Sequence, residues 1–134
     1  MPRDDETFFT VRHEFRGSRP VITIIGEVDL STAAQVRAEV ERALDGHDRI
    51  EFDLRDTTFM DSTGLAVFVA AYRRLGQNRE AVVLREPRPT ILKLLEISGV
   101  GQFVDVRTDG IREHEVSGET IGAATDRRRR PDVP

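Results

Sequence analysis

The chain has 134 residues, a formal net charge of −4 and no cysteine. This length fits one domain with its own core, the lack of cysteine excludes disulfides and thiolate metal sites, and the negative charge argues against general nucleic-acid binding. No apolar run approaches the roughly 20 residues that span a membrane, and the N-terminus has no apolar signal segment, so we expect a cytoplasmic protein.

Two strands are predicted at the start of the chain. Residues 8–16 alternate between apolar and polar side chains, which is typical of a half-buried strand. After the turn GSRP, the run VITIIGEVD is apolar and rich in β-branched residues, and it stops at Gly26. This composition predicts a central strand that is buried on both faces.

A first helix is predicted in the segment LSTAAQVRAEVERALDG. Thr32 and Gln35 have the spacing of a capping box, and Ser31 is the rival N-cap. One apolar stripe repeats at helical spacing, formed by Ala33, Val36, Val40, Ala43 and Leu44.

The rest of the pattern alternates strands and helices. RIEFDLRD and EAVVLRE read as strands, and QFVDV as a last short strand. TTFMDSTGLAVFVAAYRRLGQ contains a second helix that ends at Gly76, and PRPTILKLLEISG a third that ends near Gly99. The inner face of the second helix is expected to be Leu65, Phe68, Val69, Tyr72 and Leu75, and that of the third Ile91, Leu94 and Leu95.

The predicted order is β-β-α-β-α-β-α-β, and strands separated by helices form parallel pairs with crossover helices. We therefore expect an α/β fold, a small mixed sheet of about four to five strands with about three to four helices packed on it. Residues 1–106 would form this domain. Residues 107–134 have no hydrophobic period and carry blocks of charge, which predicts a disordered, charged tail.

The stretch FMDSTGLAVF raises the question of what Ser62 does. Asp61, Ser62 and Thr63 are all residues that cap a helix, so capping is one interpretation. Asp29 follows the second strand, where it is either a turn residue or a surface acid. Both segments follow parallel strands and should meet at the carboxyl edge of the sheet, where α/β proteins place their sites.

Enzymatic interpretations lack their other parts. Ser62 is not in a G-x-S-x-G elbow, and no histidine has an evident partner carboxylate. A small enzyme built on Asp29 and Asp61 would need a pocket and separated pKa values. The sequence has no metal-ligand cluster and no phosphate-binding glycine loop, so we expect no metal, no cofactor and no catalytic residue.

The two motifs GEVDLSTA and FMDSTGLAVF, about one β-α-β step apart, resemble the STAS domain family, specifically the stand-alone bacterial anti-sigma factor antagonists. The third helix and the GQFVDV segment are also similar to that family, and the resemblance covers about residues 7–106. It implies a cytoplasmic regulator of bacterial transcription, of the kind that acts in stress response and sporulation.

The resemblance also implies a mechanism and a site. The unphosphorylated antagonist would bind an anti-sigma factor that is a serine kinase, which frees a sigma factor. Phosphorylation of Ser62 would break the complex, and a phosphatase would reset it. Asp29, Asp61, Ser62, Thr63 and Gly64 would form the partner-binding site. The alternative is a STAS domain that is never phosphorylated and serves as a scaffold or as a subunit of a regulatory or lipid-transport complex.

Overall fold

A β-hairpin opens the fold, followed by strands that alternate with helices. The computed structural model describes residues 8–108. Its elements in chain order are β1 (Thr10–Arg16), β2 (Arg19–Val28), α1 (Ala33–Leu44), β3 (Ile50–Asp53), β4 (Thr57–Met60), α2 (Ser62–Arg74), β5 (Val82–Arg85), α3 (Pro89–Ser98) and β6 (Asp105–Arg107). Short 3₁₀ turns precede β5 at Arg79–Ala81 and follow α3 at Val100–Gln102.

The strands form one mixed sheet, as predicted. The hydrogen-bonded order is β1-β2-β3-β5-β6, and β4 pairs with β2. The β1–β2 pair is antiparallel and the other pairs are parallel. Strand β2 is central because it pairs with β1 on one side and with β3 and then β4 on the other.

Strand β4 is the element that the sequence pattern does not predict. The pattern merges residues 57–60 with the segment that leads into the second helix, whereas the structure pairs them with the end of β2. The Thr57 hydroxyl donates to the Ile24 carbonyl at 2.8 Å, and the Asp61 N–H donates to the Val28 carbonyl at 3.2 Å. Strand β4 thus forms through its pairing with β2, although it is too short to show an alternating pattern of apolar and polar residues.

The end of β2 differs from its prediction at Gly26. The strand continues to Val28, and its register against β4 shifts between Gly26 and Glu27. Gly26 has a φ of +107°, and its N–H donates to the Asp56 carbonyl at 3.1 Å. A Cβ atom at this position would lie 2.5 Å from the Phe8 carbonyl oxygen. Glycine is therefore needed both for the backbone angle and for the close approach of the chain before β1.

Gly26→Ala is expected to lower the free energy of unfolding by about 2–4 kcal/mol, because it adds a backbone clash to an unfavourable φ. The measurement is chemical denaturation. Gly17→Ala is the matched control, since Gly17 also has a positive φ but no atom within 4 Å of the added Cβ. It should lose only about 1 kcal/mol. Equal losses in the two variants would contradict a role for close approach at Gly26.

The three α-helices within residues 8–108 share one core with the sheet, which puts them on the same face. Alternate strand residues such as Ile22, Ile24 and Phe52 are fully buried in this core. The predicted stripe of α1 is confirmed, because all five of its residues are buried. The inner face of α2 is confirmed too, with Leu65 and Phe68 buried and its other three predicted members packed against the core.

Glu51 lies on the other face of the sheet, and its carboxylate is completely buried. The Glu51 carboxylate accepts from Arg16 Nη1 at 2.6 Å, from Arg85 Nε at 2.6 Å and from Arg19 Nη1 at 3.3 Å. Desolvation pushes the pKa of Glu51 up, but the hydrogen bond and charge of Arg85 and those of Arg16 outweigh it, so its pKa lies below the usual range. We call these four residues the Glu51 cluster.

The C-terminal boundary differs slightly from the prediction. Gly99 ends α3 in a left-handed conformation, as expected, but the last strand is Asp105–Arg107, since 100–102 form the 3₁₀ turn. The predicted tail therefore contributes Arg107 to the sheet, and residues 109–134 lie outside the described part of the chain. Within residues 8–108, the structure has no helix with the length and apolar character needed to cross a membrane.

Candidate functional site

The two predicted loops meet at the carboxyl edge of the sheet. Asp29 directly follows β2 and Asp61 directly follows β4. These strands are parallel neighbours, and their last paired residues are Val28 and Met60. Neighbouring strands lie about 4.8 Å apart, so Asp29 and Asp61 leave the sheet side by side. The expectation that both segments emerge at one edge is confirmed, and the unpredicted strand β4 is what brings them together.

Asp29 organises the loop before α1. One of its carboxylate oxygens accepts from the Ser31 N–H at 3.0 Å and from the Ser31 hydroxyl at 2.8 Å. The hydrogen bond from the Ser31 side chain is the largest influence on the pKa of Asp29 and lowers it below its usual value. Asp29 is thus an ionised turn acid that remains only partly buried.

The predicted capping box at Thr32 and Gln35 does not form. Thr32 occupies the N-cap position, but its side chain makes no capping hydrogen bond. Its hydroxyl donates to the Glu27 carbonyl at 2.8 Å and accepts from the Asp29 N–H at 3.0 Å. The hydroxyl therefore ties the loop to the end of β2. Ser31 is not the N-cap either, because its side chain bonds to Asp29.

Asp61, not Ser62, caps α2. The Asp61 carboxylate accepts from the Thr63 N–H at 2.9 Å and from the Thr63 hydroxyl at 2.5 Å. Ser62 is the first residue of the helix and is exposed. Among residues 8–108, the Ser62 hydroxyl has no hydrogen-bonding partner in the structure. The capping interpretation of Ser62 is therefore wrong, and Asp61 meets the requirement of the helix instead.

Gly64 lies on the inner side of the first turn of α2. It is buried, and a Cβ atom there would lie 2.5 Å from Met60 Cγ and 3.0 Å from Val28 Cγ1. The missing side chain lets the helix start close to the ends of β2 and β4. Gly64 accordingly fixes the position of the neighbouring Ser62.

Leu30 is the one residue of this edge that the sequence pattern did not single out. Its side chain is 82% exposed, the largest value among the exposed large apolar residues of the described chain. It stands between Asp29 and Ser31, whose mutual hydrogen bonds fix the loop. The sequence signal that could have identified Leu30 is its position as a leucine inside a polar turn sequence. We call Asp29, Leu30, Asp61, Ser62 and Thr63 the docking edge.

The geometry offers little for catalysis at this edge. A nucleophilic Ser62 would need a base, yet His13 is paired with Glu39 at 2.6 Å and His47 packs on Phe15. His114 lies outside the described residues. The Asp29 and Asp61 carboxylates accept hydrogen bonds within their own turns, and the pKa of Asp29 is lowered by its hydrogen bonds to Ser31, whereas a general acid needs a raised pKa. Residues 8–108 also contain no group of three metal-ligating side chains.

Comparisons with known proteins give a consistent result. A family model described as Mlab, STAS domain, matches residues 11–107. The chain is 34% identical to the anti-sigma-B factor antagonist of Listeria monocytogenes over 88 residues, which cover 64% of this chain and 76% of that protein. It is 26% identical to the anti-sigma-B factor antagonist of Bacillus subtilis over 85 residues, or 63% and 78% of the two chains.

Two solved structures are similar in fold and at 25% sequence identity. The anti-sigma factor antagonist SpoIIAA in its unphosphorylated form has a TM-score of 0.63 and covers 83% of this chain and 99% of its own. The Bacillus cell fate determinant SpoIIAA in the phosphorylated form has a TM-score of 0.58, with 80% and 99% covered. These matches confirm the resemblance in the sequence motifs. The chain belongs to the STAS domain family, in the branch that contains the anti-sigma factor antagonists.

Proposed function

We propose that this protein is an anti-sigma factor antagonist that works by partner switching. Its unphosphorylated form binds an anti-sigma factor with serine kinase activity and so frees a sigma factor. Phosphorylation of Ser62 breaks that complex, and a phosphatase restores the binding form. The protein itself is a regulator and not an enzyme, and it acts in the cytoplasm. The names of its relatives support the anti-sigma factor as partner.

The observation that carries the proposal is the state of the Ser62 hydroxyl. Four hydroxyl groups lie on the docking edge or beside it. The Ser31 hydroxyl donates to Asp29, the Thr32 hydroxyl to the Glu27 carbonyl and the Thr63 hydroxyl to Asp61. The exposed Ser62 hydroxyl, by contrast, has no partner within residues 8–108. A kinase can reach and orient Ser62 without breaking an existing hydrogen bond, so Ser62 is the phosphate acceptor that the geometry favours.

The docking edge has the character of a small protein-binding surface. An exposed leucine stands beside two carboxylates, Asp29 and Asp61, that the turns hold in place. Such a surface fits a partner with a small apolar pocket bordered by neutral hydrogen-bond donors. Gly64 supports this surface indirectly, because its missing side chain lets the N-terminus of α2 pack closely against Met60 and Val28.

The decisive test is phosphate mapping. The purified protein is incubated with each candidate anti-sigma kinase of the source organism and ATP, and its intact mass and phosphopeptides are measured. We expect one phosphate per chain, at Ser62. The Ser62→Ala variant should gain none, and the matched Ser31→Ala variant, which removes a neighbouring hydroxyl, should be phosphorylated normally.

A kinase that binds the protein but transfers no phosphate would contradict the switch. That result would favour the second candidate function, a STAS scaffold or a subunit of a regulatory or lipid-transport complex. The matching family model is described as a STAS domain without mention of sigma factors, which is compatible with this second candidate. The docking edge would then be a permanent binding surface with Asp61 as its helix cap.

Leu30 provides a second test of the docking edge. Leu30→Ser is expected to weaken binding to the anti-sigma factor about tenfold to a hundredfold, because a buried leucine contributes about 1.5–3 kcal/mol. Isothermal titration calorimetry measures this loss. Protein stability should stay within about 0.5 kcal/mol, since the side chain is exposed.

Ile97→Ser is the matched control for Leu30→Ser. Ile97 is also an exposed aliphatic residue, at 73%, but it lies near the end of α3 and away from the carboxyl edge where that helix begins. This variant should bind with the affinity of the wild type. Unchanged binding of Leu30→Ser would remove Leu30 from the proposed interface.

A further inference from the structure

A surface cavity of about 290 Å³ lies at the far end of α2 from Ser62. It opens between the last turns of α2 and the 3₁₀ turn that follows α3. An α-helix rises about 1.5 Å per residue, so the seven residues from Ser62 to Val69, the first α2 residue at the cavity, separate it from the docking edge by about 10 Å. The residues that line it are Val69, Tyr72, Arg73, Gln77, Val100, Phe103 and Val104.

The interior of the cavity is apolar and partly aromatic. Val104 is fully buried and Val100 is 9% exposed, and these two side chains form an apolar surface within the cavity. The Tyr72 and Phe103 rings lie 5.5 Å apart between centroids and are inclined by 56°. Phe103 remains 49% exposed. An aromatic ring in the cavity would cover this surface and could make edge or offset contacts with both rings.

The cavity also has a cation that forms no ion pair within residues 8–108. Arg73 is exposed and forms no ion pair with any residue of the described range 8–108. The next residue, Arg74, differs because its guanidinium is paired with Glu41 of α1. A guanidinium beside an apolar cavity is well suited to bind a carboxylate in a bidentate manner. The exposed Gln77 amide lines the same cavity and adds a neutral donor.

The volume sets the size of the ligand. Pockets for drug-sized molecules usually span about 300–1,000 Å³, so this one is at the small end. It has room for one ring with a short side chain and is too small for a nucleotide. The lining therefore combines an apolar, partly aromatic surface with one guanidinium that has no ion-pair partner in the described part of the chain.

We propose that this cavity binds a small aromatic carboxylate, with its ring packed on Val100, Val104 and the Tyr72–Phe103 pair and its carboxylate on Arg73. The site is independent of partner switching, since it shares no residue with the docking edge. It would make the protein responsive to a small metabolite of this chemical class as well as to a kinase.

Amide NMR titration with phenylacetate tests the proposal directly. We expect saturable, millimolar binding with shifts confined to residues 69–77 and 100–104. Phenylacetamide, the neutral analogue of the same shape, should bind about tenfold more weakly, because it lacks the charge-assisted contact. Arg73→Gln should weaken phenylacetate binding by a similar factor, and Val69→Phe should abolish it by filling the cavity.

Arg74→Gln is the matched control, as it removes the neighbouring guanidinium that is already paired with Glu41. This variant should bind phenylacetate like the wild type. Equal affinity for phenylacetate and phenylacetamide would overturn the assignment of Arg73. Shifts scattered over the surface, or no saturable shift at millimolar concentration, would overturn the site. None of these results depends on whether Ser62 is phosphorylated.

Discussion

Phosphorylation of Ser62 is expected to weaken binding to the anti-sigma factor by about a hundredfold or more and to leave the fold intact. The phosphate brings a charge of about −1.5 to −2. It would be placed beside the Asp61 carboxylate and close to Asp29. In the unphosphorylated protein, this surface presents a neutral hydroxyl to the partner. A partner surface that is complementary to the hydroxyl would be poorly matched to the cluster of negative charges that the phosphate creates.

The fold should tolerate the same phosphate for reasons that can be read from the first turn of α2. A negative charge at a helix N-terminus is favoured by about 0.3–1 kcal/mol. The Asp61 carboxylate already accepts a hydrogen bond from the Thr63 N–H at this end of the helix. Its negative charge repels the phosphate. The two effects are of similar size and oppose each other. Changes in the backbone amide spectrum should therefore be limited to about residues 58–66, a span that contains this turn.

Paired variants separate charge from size in this switch. Ser62→Asp and Ser62→Asn have nearly the same shape, and only the first adds a charge. We expect Ser62→Asn and Ser62→Ala to bind the anti-sigma factor much as the wild type does, and Ser62→Asp and the phosphorylated protein to bind weakly. Calorimetry at low and high salt measures this, since salt should reduce the difference for exposed charges. Equal weakening by Ser62→Asp and Ser62→Asn would instead indicate a steric switch.

The sequence predicts those parts of the fold that have a strong period. The helical stripes of α1 and α2 and the buried run of β2 could be identified because each spans many residues of consistent pattern. Strand β4 could not, because four residues give no period and its formation depends on pairing with β2. Missing β4 did not change the prediction that the two loops meet at one edge of the sheet, since the chain order alone places Asp29 and Asp61 after parallel strands.

The finer chemistry of the site required the structure. Asp61, Ser62 and Thr63 are equally plausible caps by composition, and only the hydrogen bonds show that Asp61 is the cap. Leu30 was missed because a leucine inside a polar turn sequence is a weak signal, and its 82% exposure is visible only in the structure. The sequence predicts the strand that contains Glu51 but not the burial of its carboxylate. Its burial depends on arginines from β1, β2 and β5, which are distant in the sequence.

Glu51→Gln is expected to lower the free energy of unfolding at neutral pH by about 2–4 kcal/mol, the second large effect that the structure predicts. Removal of one partner from a buried ion pair costs about 3–5 kcal/mol, because the remaining charge is left uncompensated. In Glu51→Gln, the guanidiniums of Arg16, Arg19 and Arg85 would lie close together without a carboxylate between them. The cost should be somewhat smaller than for a fully buried group because the Arg16 side chain is 56% exposed and can turn into water. Urea denaturation measures the loss.

The pH dependence identifies the charge of Glu51 as the cause. Its folded-state pKa lies below the unfolded value of about 4.3. A carboxylate of this kind contributes stability that is fully present above the unfolded pKa and is lost as the pH falls through the folded pKa. The gap in stability between wild type and Glu51→Gln should therefore narrow below about pH 4.3. Asp29 and Glu39 also have lowered pKa values. The wild type and Glu51→Gln both retain these two residues, so their contributions to the pH dependence cancel in the difference in stability.

Glu41→Gln is the appropriate comparison, because Glu41 is also a glutamate paired with an arginine, but its side chain is 65% exposed. Exposed pairs contribute little, so this variant should stay within about 0.5 kcal/mol of the wild type at every pH. A loss in Glu51→Gln that persists unchanged in acid would mean that packing, and not charge, makes Glu51 important. If charge does dominate, one buried carboxylate binds β1, β2, β3 and β5 together on the sheet face that the helices leave open. The docking edge at the end of β2 then rests on strands whose relative positions the Glu51 cluster fixes.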